Sequence, residues 1–318
     1  MGYHPRVETK SITTLQTTRC RNSELWFINN PKLTEEILGN AAKCQKRYGV
    51  SLYALAIEGN HIHFPALFHK GRRADFMRDY NSAVARAVAR NVTNYPGGSL
   101  FARRYSAEFV PGNESVEDKF FYTVLQPVQD GLAEKISDYP GYNCFHDAVW
   151  GIKRKFKLVN WTAYNEARRW NVVVNMKDFV TEYELEYTRL PGYEDLSQKE
   201  YAKLMHKKLE DRRQKIVAKR CEEGLGFAGR EVLLRTIPGS IPKHTKTSTR
   251  YSHRPRVLCV CAKLRNKFYD WYFTIYAAYK EASQRYRAGE IDVVFPPGTY
   301  KPPNFTIICE LEPEAFWV

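Results

Sequence analysis

Two histidines separated by one apolar residue are the feature of this sequence best suited to chemistry. His61 and His63 follow an apolar run at 51–57. Because side chains alternate along a strand, both imidazoles should lie on one face of a strand at 61–68, with Ile62 on the other. Neighbouring imidazoles on a rigid strand can supply two ligands to a metal ion.

The triplet alone is weak evidence for a metal site. With 8 His in 318 residues, chance gives roughly 0.2 His-x-His triplets per chain. A surface pair, or a buried histidine with ordinary hydrogen bonds, is the alternative. A metal site therefore requires ligands from a second element.

A helix predicted between Ser115 and Pro127 offers that second element, with Ser115 and Asp118 as a variant of the capping box. Tyr122 and Gln126 are four residues apart and should share one face of this helix. Gln126 can give a carbonyl oxygen as a third ligand beside His61 and His63, and three protein ligands leave positions open for substrate. Tyr122 can supply an oxygen nucleophile.

This set of side chains suits attack on a phosphodiester. The substrate is anionic, so a metal must neutralise a non-bridging oxygen before a phenolate approaches, and the same cation favours ionisation of a phenol whose pKa is about 10. The alternatives are that Tyr122, one of 21 tyrosines, is a packed aromatic, and that Gln126 ends a helix and bonds to the backbone.

The elements that position these residues are predicted from periodicity and turn signals. Helices are expected at 32–48 and 73–91, a possible edge strand at 11–18, and a strand at 99–110 with Arg103 and Arg104 on opposite faces. Pro65 suggests an edge position or a bulge for the strand at 61–68. The resulting fold class is α+β, an antiparallel sheet with flanking helices.

The charge balance favours a polyanionic partner. Lys and Arg number 49 against 35 Asp and Glu, a net charge of +14 and a pI near 9.4. The chain has no lipidation motif, no apolar run approaching about 18 residues and no signal core, so nucleic acid is favoured over a membrane. Seven scattered cysteines without a CxxC pair favour reduced thiols in a cytoplasm, and we expect a soluble, unexported protein.

A change in composition near residue 150 predicts two parts: a catalytic domain at 1–150 and a mainly helical, basic extension at 151–318 that binds DNA or dimerises. The extension contains a basic run at 151–157, a basic helix at 197–223 capped by Ser197 and Glu200, a flexible basic linker at 238–256 and an aromatic helix at 268–287. The basic helix is either a solvated face or a DNA contact. The aromatic stripe indicates core or interface rather than base stacking.

Three segments in the N-terminal part resemble one family. Residues 59–63 (Gly-Asn-His-Ile-His) resemble the His-hydrophobic-His signature of HUH endonucleases. Residues 121–132 and 138–142 are similar to the tyrosine helix of REP-associated tyrosine transposases and their insertion-sequence relatives, and residues 99–106 to the segment between the two motifs. The resemblance covers roughly residues 5–150, in the order and spacing of the family.

This resemblance implies a ferredoxin-like or RRM-like HUH core in which His61, His63 and Gln126 bind Mg²⁺ or Mn²⁺ and Tyr122 is the nucleophile. It implies cleavage of single-stranded DNA beside a hairpin through a 5′-phosphotyrosine link. The REP-associated group commonly has Asn at the position of Gln126, while Gln is more typical of insertion-sequence enzymes, so the subgroup stays open.

DNA contacts are predicted at basic residues of both parts: Arg72, Arg73, Arg103, Arg104, Lys153, Arg154 and Lys155. The partner would be single-stranded DNA with hairpin structure, bound by a monomer or homodimer in a bacterial cytoplasm, associated with the nucleoid. Two alternatives remain: a catalytically silent DNA- or RNA-binding protein on the same fold, and a replication initiator or relaxase, which would differ in motif order or tyrosine number.

Overall fold

The computed structural model describes residues 5–170, 173–242 and 255–302. Within these ranges the strands are β1 (Thr13–Arg19), β2 (Val50–Leu52), β3 (Ala56–Ile57), β4 (His61–Phe68), β5 (Ser106–Val110), β6 (Arg154–Val159) and β7 (Val180–Leu185). The helices of the same ranges are α1 (Pro31–Tyr48), α2 (Arg73–Asn91), α3 (Asn113–Val124), α4 (Gln126–Gln129), α5 (Phe145–Trp150), α6 (Trp161–Trp170), α7 (Gln198–Glu222), α8 (Arg230–Arg235) and α9 (Ala262–Arg287). None of these helices is both long and apolar enough to cross a membrane.

An antiparallel five-stranded sheet organises the N-terminal part, with β2, β4, β1 and β5 side by side and β3 paired to β4. The predicted α+β class, with flanking helices and a largely helical C-terminal region, is confirmed. The strand predicted at 11–18 is β1, but its edge position is wrong because β1 lies between β4 and β5. Its polar residues suggested an exposed edge, yet Thr13, Thr14, Gln16 and Thr18 are all buried.

Pro65 lies in an interior strand, so the predicted edge position is wrong. The alternative prediction, a bulge, agrees with the pairing, because the register with β4 shifts by one residue between Leu52–Ala66 and Ala56–His63. The Pro65 carbonyl accepts the Tyr53 N–H (3.1 Å). The Pro65 nitrogen points to the same side of β4 as this carbonyl. The strand predicted at 51–57 is divided into β2 and β3. The side of β4 to which the Pro65 nitrogen points faces the interruption between them. The interruption accommodates a residue that has no N–H to donate.

The two faces of the sheet are covered by different helices. On one face, Phe64 of β4 packs against Phe76 and Tyr80 of α2, with ring centroids 5.7 and 6.0 Å apart. The predicted bounds of α2, 73–91, are confirmed. On the opposite face, which carries the two histidines, α3 packs against β4.

The start of α3 differs from the prediction. The helix begins at Asn113 with Gly112 as its N-cap, so Ser115 lies inside the first turn and the predicted capping pair does not form. Instead the Ser115 hydroxyl accepts the backbone N–H of Val260 at 3.2 Å. This bond ties the C-terminal region to the beginning of the helix that carries Tyr122.

Part of the C-terminal region shares the core of the N-terminal part. The helix predicted at 197–223 is α7, and its Ser197–Glu200 capping box is present. Six large side chains from this region are buried in one apolar cluster with the sheet and α3: Leu185, Tyr187, Leu190, Tyr201, Met205 and Leu209. The predicted aromatic helix is α9, which begins earlier, at Ala262. Most of the predicted linker lies outside the described residues.

Arg73, predicted to contact DNA, is buried with 2 % of its surface exposed and has a structural role. Its guanidinium donates to the Val7 carbonyl at 3.0 Å and lies 3.6 Å from the Glu8 carboxylate. Glu8 in turn accepts the backbone N–H groups of Arg73 and Ala74 at the start of α2. The pair fixes the N-terminal segment to this helix, and a guanidinium so enclosed cannot reach a phosphate.

We expect Arg73→Leu to lower the free energy of unfolding by about 3–5 kcal/mol at pH 7, because it leaves the Glu8 carboxylate buried without its cation. Burial already raises the pKa of Glu8 and Arg73 opposes that rise, so the variant's deficit should shrink towards pH 4, where the carboxyl is protonated. The control is Arg72→Leu, at a side chain 54 % exposed in a surface pair with Asp75, for which less than about 1 kcal/mol is expected. Equal losses in urea denaturation of both variants would contradict the prediction.

Candidate active site

His61 and His63 lie side by side on the face of β4 that meets α3. Their ring centroids are 5.2 Å apart and their planes 28° from parallel. The residues are 5 % and 2 % exposed. The alternation of the strand therefore gives the two imidazoles one shared, enclosed environment.

Hydrogen bonds set the tautomer of both rings. Nδ1 of His61 lies 2.8 Å from Oδ1 of Asn60, whose amide nitrogen donates to the Ser23 carbonyl, so the oxygen must face the ring and accept its proton. His63 Nε2 is buried without a hydrogen-bond partner, and the Thr123 backbone raises the pKa of the ring, as a carbonyl that accepts the Nδ1 proton would. Both rings therefore carry their proton on Nδ1 and a lone pair on Nε2, the arrangement found in metal-binding histidines.

Burial lowers the pKa of His63 to about 4. The ring is therefore neutral at pH 7, which is the form that binds a metal ion. Its unpartnered Nε2 is costly in a buried position without a ligand.

A helix break connects Tyr122 and Gln126 to these histidines. The continuous helix predicted across both residues is wrong: α3 ends at Val124 and α4 begins at Gln126. Pro127 has no N–H to bond the carbonyl four residues earlier, that of Thr123. The break therefore leaves the Thr123 backbone available to His63.

Of the other two candidate side chains, Tyr122 lies beside His63, and Gln126 is linked to the site through Asp130. The Tyr122 ring centroid is 5.8 Å from that of His63, and the tyrosine is 36 % exposed. Gln126 is buried, its Nε2 donates to Asp130 at 2.9 Å, and its Oε1 is buried without a hydrogen-bond partner. Asp130 also raises the pKa of both His63 and Tyr122 by its charge, so these groups surround one carboxylate.

The donor atoms fit a divalent cation. The candidate set is two imidazole nitrogens and the amide oxygen of Gln126, and two of its atoms, His63 Nε2 and Gln126 Oε1, are buried acceptors without a partner. No three His, Cys, Asp or Glu side chains of the described residues lie close enough together to hold a metal, so the set depends on the amide. Imidazole nitrogens suit transition-metal ions and a carbonyl oxygen suits harder ions such as Mn²⁺, so Mn²⁺ fits this mixed set better than Mg²⁺.

Charged groups that the sequence did not indicate surround Tyr122. Burial is the largest cause of its raised pKa; Asp130 and Glu108 raise it further, while Arg19 and Arg256 lower it. Arg19 lies directly opposite His61 in the β1–β4 register, which places its side chain on the same face. Only the pairing of strands distant in sequence brings these charges together, so no local motif could reveal them.

Glu58 is a further buried group beside the candidate site. Its N–H donates to the His61 carbonyl at 2.9 Å, which closes the turn before β4. Burial, and then the charge of Asp130, raise its pKa to about 8, so the carboxyl is mainly protonated at pH 7. A glutamate at the end of an apolar run was the sequence signal for this position.

The other residues predicted to contact DNA are exposed, and several of them form ion pairs with acidic neighbours. Arg103 and Arg104 lie in an exposed bend, not on a strand, because β5 begins only at Ser106. Arg72 pairs with Asp75 on the surface. The residues of the basic run pair with acidic neighbours: Lys153 with Glu184 and Glu186, Arg154 with Asp147, and Lys155 with Glu182. A DNA role for these exposed side chains stays a prediction.

Cations of α7 support the helix that carries Tyr122. Arg212 donates to Asp118 at 3.0 Å and stacks over the Phe121 ring at 4.7 Å. Lys208 donates to both carboxylate oxygens of Glu117 at 2.9 Å. These contacts hold α7 along α3, so part of the basic helix faces protein.

The comparisons with known proteins bear on the fold. No family model matches the sequence, and no curated protein matches it. Among solved structures, the fold is similar to one described as "Structure of the REP associates tyrosine transposase bound to a REP hairpin". The two share 19 % sequence identity over 46 % of this chain and 84 % of that chain, with a TM-score of 0.37.

Proposed function

We propose that the protein is a metal-dependent single-stranded DNA endonuclease and strand transferase, a single-tyrosine transposase or a domesticated relative. The observation that carries the proposal is the position of Tyr122 beside two histidines whose Nδ1 atoms are engaged. A nucleophile beside side chains that can bind a metal ion suits metal-dependent cleavage of a phosphodiester. The substrate we propose, from the sequence resemblance, is DNA with a hairpin.

In the proposed reaction, Tyr122 Oη forms a bond to phosphorus while the bond from phosphorus to the 3′ oxygen breaks. The phenolic proton passes to water, and the departing 3′ oxygen takes a proton from solvent. The products are a 5′-phosphotyrosine link and a free 3′-hydroxyl. A second 3′-hydroxyl can attack this link, which restores the phenol and joins the strands without ATP.

His61, His63 and Gln126 would hold the divalent cation. When bound, the cation supplies positive charge to a non-bridging phosphate oxygen. The neutral histidines add no charge of their own, so Arg19, beside His61 in the register, supplies positive charge to the phosphate from the protein. Lys119 lies 5.3 Å above the Tyr122 ring and adds a second cation near the nucleophile.

The direct test uses a library of stem-loop oligonucleotides with randomised flanks and a fluorophore at the 3′ end. The label belongs at that end because the adduct retains the DNA on the 3′ side of the cut. With Mn²⁺ we expect a slower, fluorescent protein band on a denaturing gel, and no such band in EDTA. Absence of the band at every Mn²⁺ concentration would overturn the proposal.

A non-catalytic DNA-binding protein is the second candidate. The observation that favours it is the raised pKa of Tyr122, since a phenol that resists ionisation is a poor nucleophile unless a cation is bound. This candidate predicts retention of the oligonucleotide on a native gel without a covalent band.

Metal binding can be tested without DNA. We expect Mn²⁺ at 100 times its Kd to stabilise the wild-type protein by about 2.7 kcal/mol, because the ion binds only the folded chain. His61→Ala and His63→Ala should lose this stabilisation. The control is His69→Ala, at an exposed residue just beyond β4, which should keep it. Equal thermal shifts in all four proteins would exclude the candidate metal site.

A further inference from the structure

A short C-terminal segment extends the sheet next to the candidate site. The Phe109 N–H donates to the Arg256 carbonyl at 3.0 Å, and the Leu258 N–H donates to the Phe109 carbonyl at 2.8 Å. Val257 thereby forms a parallel bridge with Phe109 on the outer side of β5. The bond from Val260 to Ser115 attaches the same segment to α3. The segment that carries Arg256 is thus attached to β5 and to α3, the helix that carries Tyr122.

The side chain of Arg256 is directed to the site face by Glu108. Its Nη1 lies 2.6 Å from Glu108 Oε1, and the side chains are 70 % and 12 % exposed. Glu108 pairs with Leu15, which pairs with Pro65, so Glu108 shares the face of His61 and His63. The charges of Glu108 and Arg256 both act on the Tyr122 phenol, consistent with this placement.

The site face therefore has cations on two sides. Arg19 lies next to the histidines, and Arg256 lies at the far edge, beyond β5. A guanidinium that is largely exposed can keep one bond to a carboxylate and direct its remaining donors to a phosphate, whose oxygens it matches in pairs.

We propose that Arg256 binds the DNA phosphate at Tyr122, with Glu108 positioning its guanidinium, so that the C-terminal region completes the site. This inference rests on the proposed function and adds a substrate-binding residue to it. The rival role for Arg256 is structural, as the counter-ion that neutralises a largely buried Glu108. The two roles predict different rates of adduct formation when Glu108 and Arg256 are replaced together.

The experiment compares Arg256→Gln, Glu108→Gln and the double variant in the full-length chain, using the 3′-labelled stem-loop library with Mn²⁺ at saturating protein. We expect Arg256→Gln to slow adduct formation by about 10- to 100-fold, and the double variant to be equally slow. Arg256→Lys should recover part of the rate. The control is Arg235→Gln, which removes a side chain 84 % exposed on α8 and should stay within about twofold of wild type.

A wild-type rate in Arg256→Gln, or recovery of that rate in the double variant, would overturn the inference while the proposed function stands. Absence of an adduct from the wild-type protein would overturn the proposed function. Binding to a 20-nucleotide oligothymidylate then tests Arg256 separately: Arg256→Gln should reduce the slope of log affinity against log salt by about 0.7. An unchanged slope counts against phosphate binding by Arg256.

Discussion

Tyr122→Phe should bind the stem-loop DNA within about twofold of wild type and form no covalent adduct. The substitution removes only the attacking oxygen, and the ring keeps its contacts with His63 and Lys119. Loss of a covalent nucleophile lowers the rate by about 10⁴-fold or more, which on a denaturing gel is absence of the band. Affinity measured by fluorescence anisotropy should barely change, because the proposed binding depends mainly on cationic side chains and not on the phenol hydroxyl.

The matched control is Tyr183→Phe, at a partly buried tyrosine on β7. It removes the same hydroxyl at a position away from the histidine face and should form adduct at the wild-type rate. Mass spectrometry of the digested adduct should place the nucleotide on the peptide containing Tyr122. An adduct that persists in Tyr122→Phe, or maps to another residue, would remove the nucleophile assignment.

Local signals predicted the elements that carry most of the candidate site. Period-two alternation was enough to put His61 and His63 on one face, because side-chain direction in a strand depends only on spacing. The apolar periodicity of α2 and the capping box of α7 also depend only on residues close in sequence. Both helices have the predicted bounds to within one residue. Such features are predictable because the interactions that create them lie within a few residues of each other.

The parts that were not predicted depend on distant pairings. Arg19 reaches the site through its register with His61, and Arg256 through a bridge to β5 from the far end of the chain. The break between Tyr122 and Gln126 was not predicted, although Pro127 could have suggested it, and its effect on His63 depends on the strand that lies beside α3. The predicted edge positions of β1 and β4 were also wrong, because the place of a strand in the sheet depends on the strand order.

Composition predicted a domain boundary near residue 150, but buried residues from both sides of this position pack in one core. The net positive charge increases there mainly because α7 carries many lysines and arginines, yet these charged side chains describe only the exposed face of the helix. The buried face of α7, with Tyr201, Met205 and Leu209, joins the core around the sheet. Truncation at residue 150 therefore removes part of the core, and any loss of DNA affinity would follow from a loss of folding.

Residues 1–150 expressed alone should lack a cooperative unfolding transition. The missing region contributes six large buried side chains to the shared core, each stabilising by about 1.5–3 kcal/mol. Their loss is comparable to the whole stability of a typical domain, about 5–15 kcal/mol. Circular dichroism should show reduced helical signal and a broad, featureless thermal profile.

A second truncation provides the control, because α9 packs in a separate, small cluster with Val7 and Phe109. Residues 1–242 keep α7 in place and should unfold cooperatively, at a lower temperature than the full chain. Within the full chain, Met205→Ala should cost about 2–5 kcal/mol, while Lys207→Ala, at an exposed position of the same helix, should cost less than about 0.5 kcal/mol. A cooperative transition of residues 1–150 close to the full-length melting temperature would show that the shared core is dispensable, and would restore the boundary at 150 as a folding boundary.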